Sequence, residues 1–489
     1  MIGLRHVEVE RTHHAMCCPG QSHHCGKPRN DAEVNKYKSR GYSEEEAKAE
    51  AGKWVAVPGT SEHQLGLAVD VEGATYDVFI WLQENSYKYG FIFRYPGDKT
   101  DTTGTVEEVW HYRYVGVEAA TEMYEQGLCL EEYVEMKGGE VGKLNIAVLF
   151  GGCSPEYEVS LQSALAVIKN MDRERYTPIP IGITRQGDWY CFEGSAQEIA
   201  ANTWHTGENC APVTISPDRR EPVLYKCTDN HITEIHVDAA FPVLHGKNGE
   251  DGTVQGLAQL MGVPIVGCGV LASALCMDKH RAHQIVRAAG IEVPHSLVLG
   301  RDQGMEAAHA LAEQIGYPLF VKPVRAGSSF GITRVADRGS LPAAVALASQ
   351  YDREIILEEA VPGFEVGCAV MGNDSLTVGE VDEIELEDGF FDYTEKYTLK
   401  TSAIHVPARI PRDTAEQVKQ TAQTVYRALG CRGFARVDMF LTPDGQIVFN
   451  EVNTIPGFTE HSRFPRMMEA VGLDLGQVVS TVIGLAVGK

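Results

Sequence analysis

The sequence predicts two folds in series: an α/β fold from Lys143 to the C-terminus and, before it, a small α+β block. Three observations carry this. LNIAVLF (144–150) is an apolar run of the kind that forms a parallel strand buried on both faces; Gly151, Gly152 and the helix-forming SPEYEVSLQSALAVIKN follow it directly. Further runs at PIPIGIT, AAFPVLHG, PIVG, PLFVKP, EIILEEA and IVFNEVN repeat the strand signal to the end. The Gly-rich KGGEVGK (137–143) separates this pattern from what precedes it.

Residues 1–35 are polar, irregular and rich in Cys and His, and read as a poorly ordered leader. Residues 36–136 form a compact block: KSRGYSEEEAKAEAGKW favours helix, LGLAVDVEG alternates as a strand does, and VEAATEMYEQGLCLEEYVEM reads as a closing helix. Residues 137–142 are a linker. Beyond it, Ser154 is placed to cap the first helix and Pro155 to occupy its first position.

Composition narrows the function classes. At 489 residues the chain is too long for one core, and 44% hydrophobic with 22% charged residues is a globular composition. A net charge of -24 repels polyphosphate, which argues against nucleic acid as a partner. No apolar stretch approaches the roughly 20 residues of a membrane helix, and MIGLRHVEVERTHH has no signal-peptide core, so the expected location is cytoplasmic. Most of the 12 cysteines lie singly in apolar patterns, as reduced buried thiols do. HHAMCCPGQSHHCG (13–26) crowds Cys and His together, but its spacing fits no structural zinc motif.

Two segments carry chemistry. In FVKPVRAGSSFGI (320–332), Lys322 ends an apolar strand, and Gly327, Ser328, Ser329 and Gly331 form a turn whose amides and hydroxyls suit phosphate oxygens; it is not a Walker loop. ARVDMFLTPDGQIVFNEVNTIPGF (435–458) reads as a hairpin. Asp438 lies on its first strand, with Arg436 on the same face. Glu451 and Asn453 share a face of the second. Three oxygen ligands on adjacent strands suit magnesium carried by ATP, and Arg436 is placed to meet a developing oxyanion.

GGCSPEYEVS, LHGKNGEDG, SALCMDK, VKPVRAGSSFG, FFDYTEKY, ARVDMF and NEVNTIPGFTEHS resemble, in order, the motifs of D-alanine–D-alanine ligases. The resemblance covers about 143–487. It implies the ATP-grasp fold in three subdomains, taken here as 143–262, 263–345 and 346–489. It also implies ATP-dependent joining of D-alanine to a second D-amino acid through D-alanyl phosphate, for peptidoglycan precursors. By motif, Glu156 takes the ammonium of the first D-alanine from the first turn of its helix. Tyr397 and Ser328 complete a triad with it that closes an ω-loop, and His245 lies near the first D-alanine. Lys279, Lys322, Ser329 and Lys396 contact ATP phosphates, and Glu358 and Glu365 its adenosine end. Asp438, Glu451 and Asn453 hold two Mg2+ (or Mn2+) ions. Arg436 and the Gly457 backbone stabilise the tetrahedral intermediate. Relatives of this kind are commonly homodimers.

Two features address the second substrate. Glu395-Lys396-Tyr397 in the ω-loop departs from ligases that add D-lactate, which carry a histidine nearby instead. Arg463, beside Ser462 at the second subsite, stands where an apolar residue is usual; an arginine there suits a polar side chain. The combination resembles vancomycin-resistance D-alanine–D-serine ligases of the VanG type. The expectation is D-serine first and D-alanine next.

In the N-terminal block, SEHQLGLAVD (61–70) and EEVWHYR (107–113) supply His63, Asp70 and His111, which can ligate Zn2+ and leave a position for water. Glu108 is placed as a base on that water. A bend near Gly66 is needed for His63 and Asp70 to share a side. These motifs, with YGFIFRYP and WHYRYVG, resemble VanY/VanXY-like D,D-carboxypeptidases over about 36–136. That family carries an upstream Gly-Tyr-Arg segment whose arginine assists the transition state, and none precedes His63. The expectation is a truncated, weakly stable peptidase domain that keeps zinc ligands but not full activity.

Overall fold

The computed structural model describes residues 34–40, 42–52, 62, 67–71, 75–136, 143–207, 209–216, 218–219, 222–228, 231–300, 302–327, 329–386 and 402–488. The Cys/His-rich segment 13–26, the linker 137–142, His63 and the bend at Gly66, Ser328, Lys396 and Tyr397 lie outside the described residues. The chain divides into two compact units, Met1–Gly142 and Lys143–Lys489.

The first unit is built on three short antiparallel strands, β1 (Ala68–Asp70), β2 (Phe91–Phe93) and β3 (His111–Tyr114), in the order β1-β3-β2. Register sets Asp70 opposite His111. Its apolar clusters are small: Val34, Ala47 and Ala51 in one, Ile92, Ala120 and Met123 in another. The expected single closing helix is two, Val117–Gln126 and Leu130–Met136. Gly127 takes the left-handed conformation (φ 64°) and ends the first; the Cys129 N–H donates to Glu132 Oε2 (3.0 Å) at the start of the second.

The second unit opens with a seven-stranded sheet, β10-β4-β5-β6-β7-β8-β9, from β4 (Leu144–Gly151), β5 (Tyr176–Ile183), β6 (Trp189–Phe192), β7 (Cys210–Ile215), β8 (Val223–Thr228), β9 (His231–His236) and β10 (Ala239–Pro242). Only β10, β4 and β5 are parallel; β5 to β9 continue as an antiparallel meander. The helix at its first crossover spans Tyr157–Asn170, two residues later than the sequence predicts. Ser154 does not cap it, because its hydroxyl donates to the His245 carbonyl (2.7 Å) and accepts from Glu156 N–H (3.2 Å). Glu156 is therefore the N-cap residue, not a first-turn residue.

The later apolar runs do not extend this sheet. β11 (Ser296–Leu299), β12 (Leu319–Pro323), β13 (Thr333–Val335) and β14 (Ile355–Glu359) form an antiparallel sheet in the order β11-β14-β12-β13. β15 (Phe364–Gly372), β16 (Leu376–Leu386), β17 (Ser402–His405), β18 (Phe434–Leu441) and β19 (Ile447–Asn453) form another, β17-β16-β15-β18-β19. Both internal boundaries drawn from sequence shift. Ala240 bonds to Pro264 and Val266, so the first sheet's edge reaches past 262. A cut after 345 would sever the helix Leu341–Ala348 and strip β14 from between β11 and β12.

One apolar core joins the ends of the second unit. Phe150, Tyr157 and Phe241 of the first sheet region pack with Phe434, Phe458 and Phe464, and with Val478 and Val482 of the C-terminal helix Leu475–Val487. The loop after β19 is thereby clamped between the two sheets, next to the mouth of β4.

Candidate active site

The mouth of β4 is shaped by glycine. Gly151 has φ 88°, and a Cβ there would lie 2.2 Å from the Ile183 carbonyl oxygen, so the chain turns off the strand without a side chain. This delivers Glu156, buried, to the loop after β10. Added Cβ atoms at Gly246 and Gly327 would lie 2.7 and 3.0 Å from its Oε2. Its carboxylate thus meets the backbone of the His245 loop and of the Gly327 turn. Ser329, in that turn, holds a left-handed φ of 59°.

His245 is buried with both ring nitrogens engaged. Nδ1 lies 2.9 Å from the Ile455 carbonyl, which can only accept, so Nδ1 carries the proton. Nε2 lies 3.3 Å from Ser163 Oγ and, in a neutral ring, accepts from it. A cavity of about 920 Å³ opens beside Gly152 and His245. Its walls mix apolar side chains, among them Ile183, Trp189 and Leu257, with Arg219, Lys247 and Asn248, and none of the hairpin's polar residues lines it.

The β18–β19 hairpin brings its predicted residues together. Arg436 pairs with Asn453 and Asp438 with Glu451, with a bulge after Asp438. Arg436 donates from Nε (2.8 Å) and Nη2 (2.7 Å) to Asp438, and Asn453 Nδ2 donates to Asp438 Oδ2 (2.7 Å). Burial weakens the case for charge on Arg436, but Asp438 keeps it protonated and above its ordinary value. Two carboxylates and an amide oxygen form a hard-oxygen set, which fits magnesium. Among the described residues no three His, Cys, Asp or Glu side chains are grouped to hold a metal.

At the other end, Lys279 Nζ donates to the Ala326 carbonyl (2.8 Å), at the start of the Gly327 turn, and lies 3.5 Å from Glu451. Lys322 donates to Glu358 Oε1 (2.5 Å). Glu358 is 2% exposed, yet among the described residues its Oε2 and the nearby His283 Nδ1 meet no hydrogen-bond partner. A buried carboxylate oxygen left open beside a lysine is what an amino group and phosphates of a nucleotide would satisfy.

Glu365 accepts from Arg463 Nη1 (2.6 Å). Arg463 opens the helix Arg463–Glu469 and is buried, not directed to solvent. Its Nε and Nη2 make a two-pronged bond to Asp382 (2.6 and 2.7 Å), and Nη2 lies 3.4 Å from Asp438. Gly367 makes the room: a Cβ there would lie 2.3 Å from Arg463 Nη2. Ser462 bonds to Thr459 N (3.1 Å), and a Cβ on Gly457 would lie 2.6 Å from Ser462 Oγ.

Sequence reasoning missed Asp382, Glu250 and Ser163. Asp382 sits fully buried on β16 in an acidic run, VDEIELE, whose charge was the available signal. Glu250 lies inside LHGKNGEDG and accepts from Gly246 N–H (2.8 Å) and Ile455 N–H (3.0 Å).

In the first unit, His111 is buried. Its Nδ1 lies 3.2 Å from Asp70 and 3.4 Å from Glu108; its Nε2 lies 3.7 Å from Glu62. Burial alone would lower its pKa, but the carboxylates of Asp70 and Glu62 beside its ring raise it to about 9. Glu62 is in turn held at about 2, against the pull of burial, by the neighbouring His111 ring and its bond to Arg94. Arg94 also grips Glu131 in a two-pronged bond (3.0 and 2.6 Å). Asp70 and Glu108 both lie near Nδ1; the residue expected to join them, His63, lies outside the described residues.

Comparison with known proteins identifies the family. Residues 145–268 match the model of the D-ala D-ala ligase N-terminus, and residues 285–484 that of its C-terminus. Residues 31–117 match the D-alanyl-D-alanine carboxypeptidase model VanY. The chain is 44% identical over 353 residues to the vancomycin/teicoplanin A-type resistance protein VanA of Enterococcus faecium, covering 71% of this chain and 99% of the relative. It is 45% identical over 343 residues to VanC1 of Enterococcus gallinarum, covering 70% and 98%. The solved VanG D-Ala:D-Ser ligase from Enterococcus faecalis is similar at 55% identity and a TM-score of 0.66, covering 70% of this chain and 99% of that one. The chain is an enzyme of the D-alanine–D-alanine ligase family, with the ATP-grasp fold, and carries a VanY-type region at its N-terminal side.

Proposed function

We infer that this enzyme joins D-alanine to D-serine, with D-alanine as the next-preferred second substrate, through D-alanyl phosphate. The observation that carries the preference is the buried Arg463–Asp382 pair beside Asp438. A seryl hydroxyl can accept from the guanidinium and donate to the carboxylate, whereas a methyl group can do neither. The similarity to the VanG D-Ala:D-Ser ligase supports the same reading.

In this reading Glu156 binds the ammonium of the first D-alanine, with Ser328 and Tyr397 closing over it. His245 and Ser462 line the amino-acid side. Lys279, Lys322, Ser329 and Lys396 hold the phosphates of ATP, Glu358 meets the adenine amino group, and Glu365 serves the adenosine end if it shares its bond to Arg463. Asp438, Glu451 and Asn453 would hold Mg2+ or Mn2+, whose charge offsets that of the phosphates. Arg436 and the Gly457 N–H face the oxyanion when the second amine attacks. The location is taken as cytoplasmic and the assembly as a homodimer; no helix among the described residues is long and apolar enough to cross a membrane.

A second reading adds a zinc D,D-peptidase in the first unit, favoured by the convergence of Asp70 and Glu108 on His111. Phosphate release with D-alanine plus each co-substrate tests the first reading, and D-Ala-D-Ala hydrolysis with and without zinc tests the second. D-serine is expected to give the higher kcat/KM; equal or better values with D-alanine sink the specificity claim. Brisk hydrolysis of D-Ala-D-Ala by the zinc-loaded chain would establish the second activity.

A further inference from the structure

We propose that Glu250 and Ser163 are positioning residues that set the Gly457 backbone for the ligation step; this rests on the assignment of Gly457 and His245 above. The residues form a closed circuit. Glu250 Oε1 accepts from Ile455 N–H (3.0 Å), and Oε2 accepts from Gly246 N–H (2.8 Å). Gly246 adjoins His245, whose Nδ1–H returns to the Ile455 carbonyl (2.9 Å). Both backbone polar groups of Ile455 are therefore tied to the His245 loop.

The other side of Gly457 is tied as well. Phe458 N–H donates to Ser163 Oγ (3.3 Å), which in turn reaches His245 Nε2 (3.3 Å). The Phe458 ring is fully buried against Phe241 and Phe434, with centroids 5.7 and 5.3 Å away. Gly457 thus sits between anchors at 455 and 458. Its own freedom is needed because a Cβ would strike Ser462 Oγ at 2.6 Å. With no side chain to pack, its N–H is aimed only by these neighbours.

Carboxylate chemistry makes Glu250 irreplaceable here. It faces two N–H donors and has two acceptor oxygens. In Glu250→Gln, one donor instead meets an NH2 group, so one loop must give way with little change in volume. Both ring nitrogens of His245 are engaged, Nδ1 by the Ile455 carbonyl and Nε2 by Ser163 Oγ, so its ring is held in one orientation.

The test compares wild-type full-length chain with E250Q and S163A. It measures dipeptide formation, the KM for ATP, thermal midpoint, and inhibition by a phosphinate dipeptide that mimics the tetrahedral intermediate. E250Q is expected to lose about ten- to a hundredfold in kcat, since a shift of an ångström or less is enough. Its inhibition constant for the phosphinate should rise by the same factor, because both read transition-state fit. The KM for ATP should stay within about twofold. S163A should move the same two quantities together by a smaller factor, and it carries the test if E250Q fails to fold. A loss of kcat with unchanged phosphinate affinity, or no loss at all in either variant, overturns the proposal while the ligase reading stands. A wild-type chain that neither ligates nor binds the phosphinate overturns both.

Discussion

The two units fix their polar groups in opposite ways. In the ligase unit the site is aimed by backbone: glycines let strands turn, and N–H and carbonyl groups of the 245–250 and 455–458 loops hold the side chains. Beneath it lies an extended aromatic core around Phe241, Phe434 and Phe458. In the N-terminal unit the described cluster is held by charge: Glu62, Arg94, Arg113, Glu131 and His111 brace one another over a three-stranded sheet with little beneath it. The helix Tyr76–Asn85 buries none of its residues. A site built on backbone in a dry core should tolerate salt and pH. One built on ion pairs with a thin core should not.

The sharpest way to break this comparison is at the point where the ligase unit also depends on charge. Asp438→Asn should cut ligation by about a thousandfold or more, because it removes the proposed cation ligand and leaves Arg436 and Arg463 facing each other. Phosphate release at saturating substrates measures it, and activity within tenfold of wild type would remove Asp438 from the chemistry.

Arg463→Leu comes next. It should shift the D-serine to D-alanine ratio of kcat/KM toward D-alanine by about ten- to a hundredfold. It also leaves Asp382 charged and buried alone, which should cost about 3–5 kcal/mol of unfolding free energy. Adding Asp382→Leu should recover most of that stability without restoring the preference. Denaturant unfolding and the co-substrate ratio separate the two effects; failure of the double variant to recover would mean that the pair is not the structural unit drawn here.

In the N-terminal unit, Arg94→Leu strands Glu62 and Glu131 and should lower that unit's stability by about 2–3 kcal/mol. Ligase kcat should stay unchanged, since the change falls within the other of the two compact units. Proteolysis within residues 34–136, read beside ligation, tests this; a parallel loss of ligation would tie the units together.

The smallest effect is one of pH. His111 is raised from 6.5 to about 9, so its contribution is complete below pH 6.5 and is lost as pH rises toward 9. Solvent screening leaves it on the order of 1–2 kcal/mol. Glu62, lowered to about 2, acts in the opposite sense: its contribution is complete above pH 4.5 and is lost as pH falls toward 2. Zinc must displace the His111 proton, so zinc affinity should climb with pH up to about 9. Calorimetric titration of zinc between pH 6 and 9 checks the sign; a flat profile would show that His111 is no ligand.

Local patterns in the sequence reveal a good part of this. The two-residue spacing of Glu451 and Asn453, and of Arg436 and Asp438, is enough to put each pair on one face of its strand, because strand geometry has a period of two, and the hairpin between them pairs the strands. Glu156 was reachable by motif. What stayed hidden depends on distant partners. Asp382 is defined by an arginine 81 positions away, and Glu250 by an amide 205 positions away. The helix start slipped for the same reason: Ser154 is drawn to the carbonyl of His245, 91 positions on, instead of to its own helix. The antiparallel sheets read as continuations of a parallel one because short buried strands look alike in either arrangement.

The most direct test of the central claim is a competition. Full-length chain is given ATP, magnesium and equimolar D-alanine and D-serine, and the dipeptides are counted by mass spectrometry. The structure around Arg463 and Asp382 predicts that D-Ala-D-Ser outnumbers D-Ala-D-Ala. A product dominated by D-Ala-D-Ala, or no dipeptide at all, would contradict it.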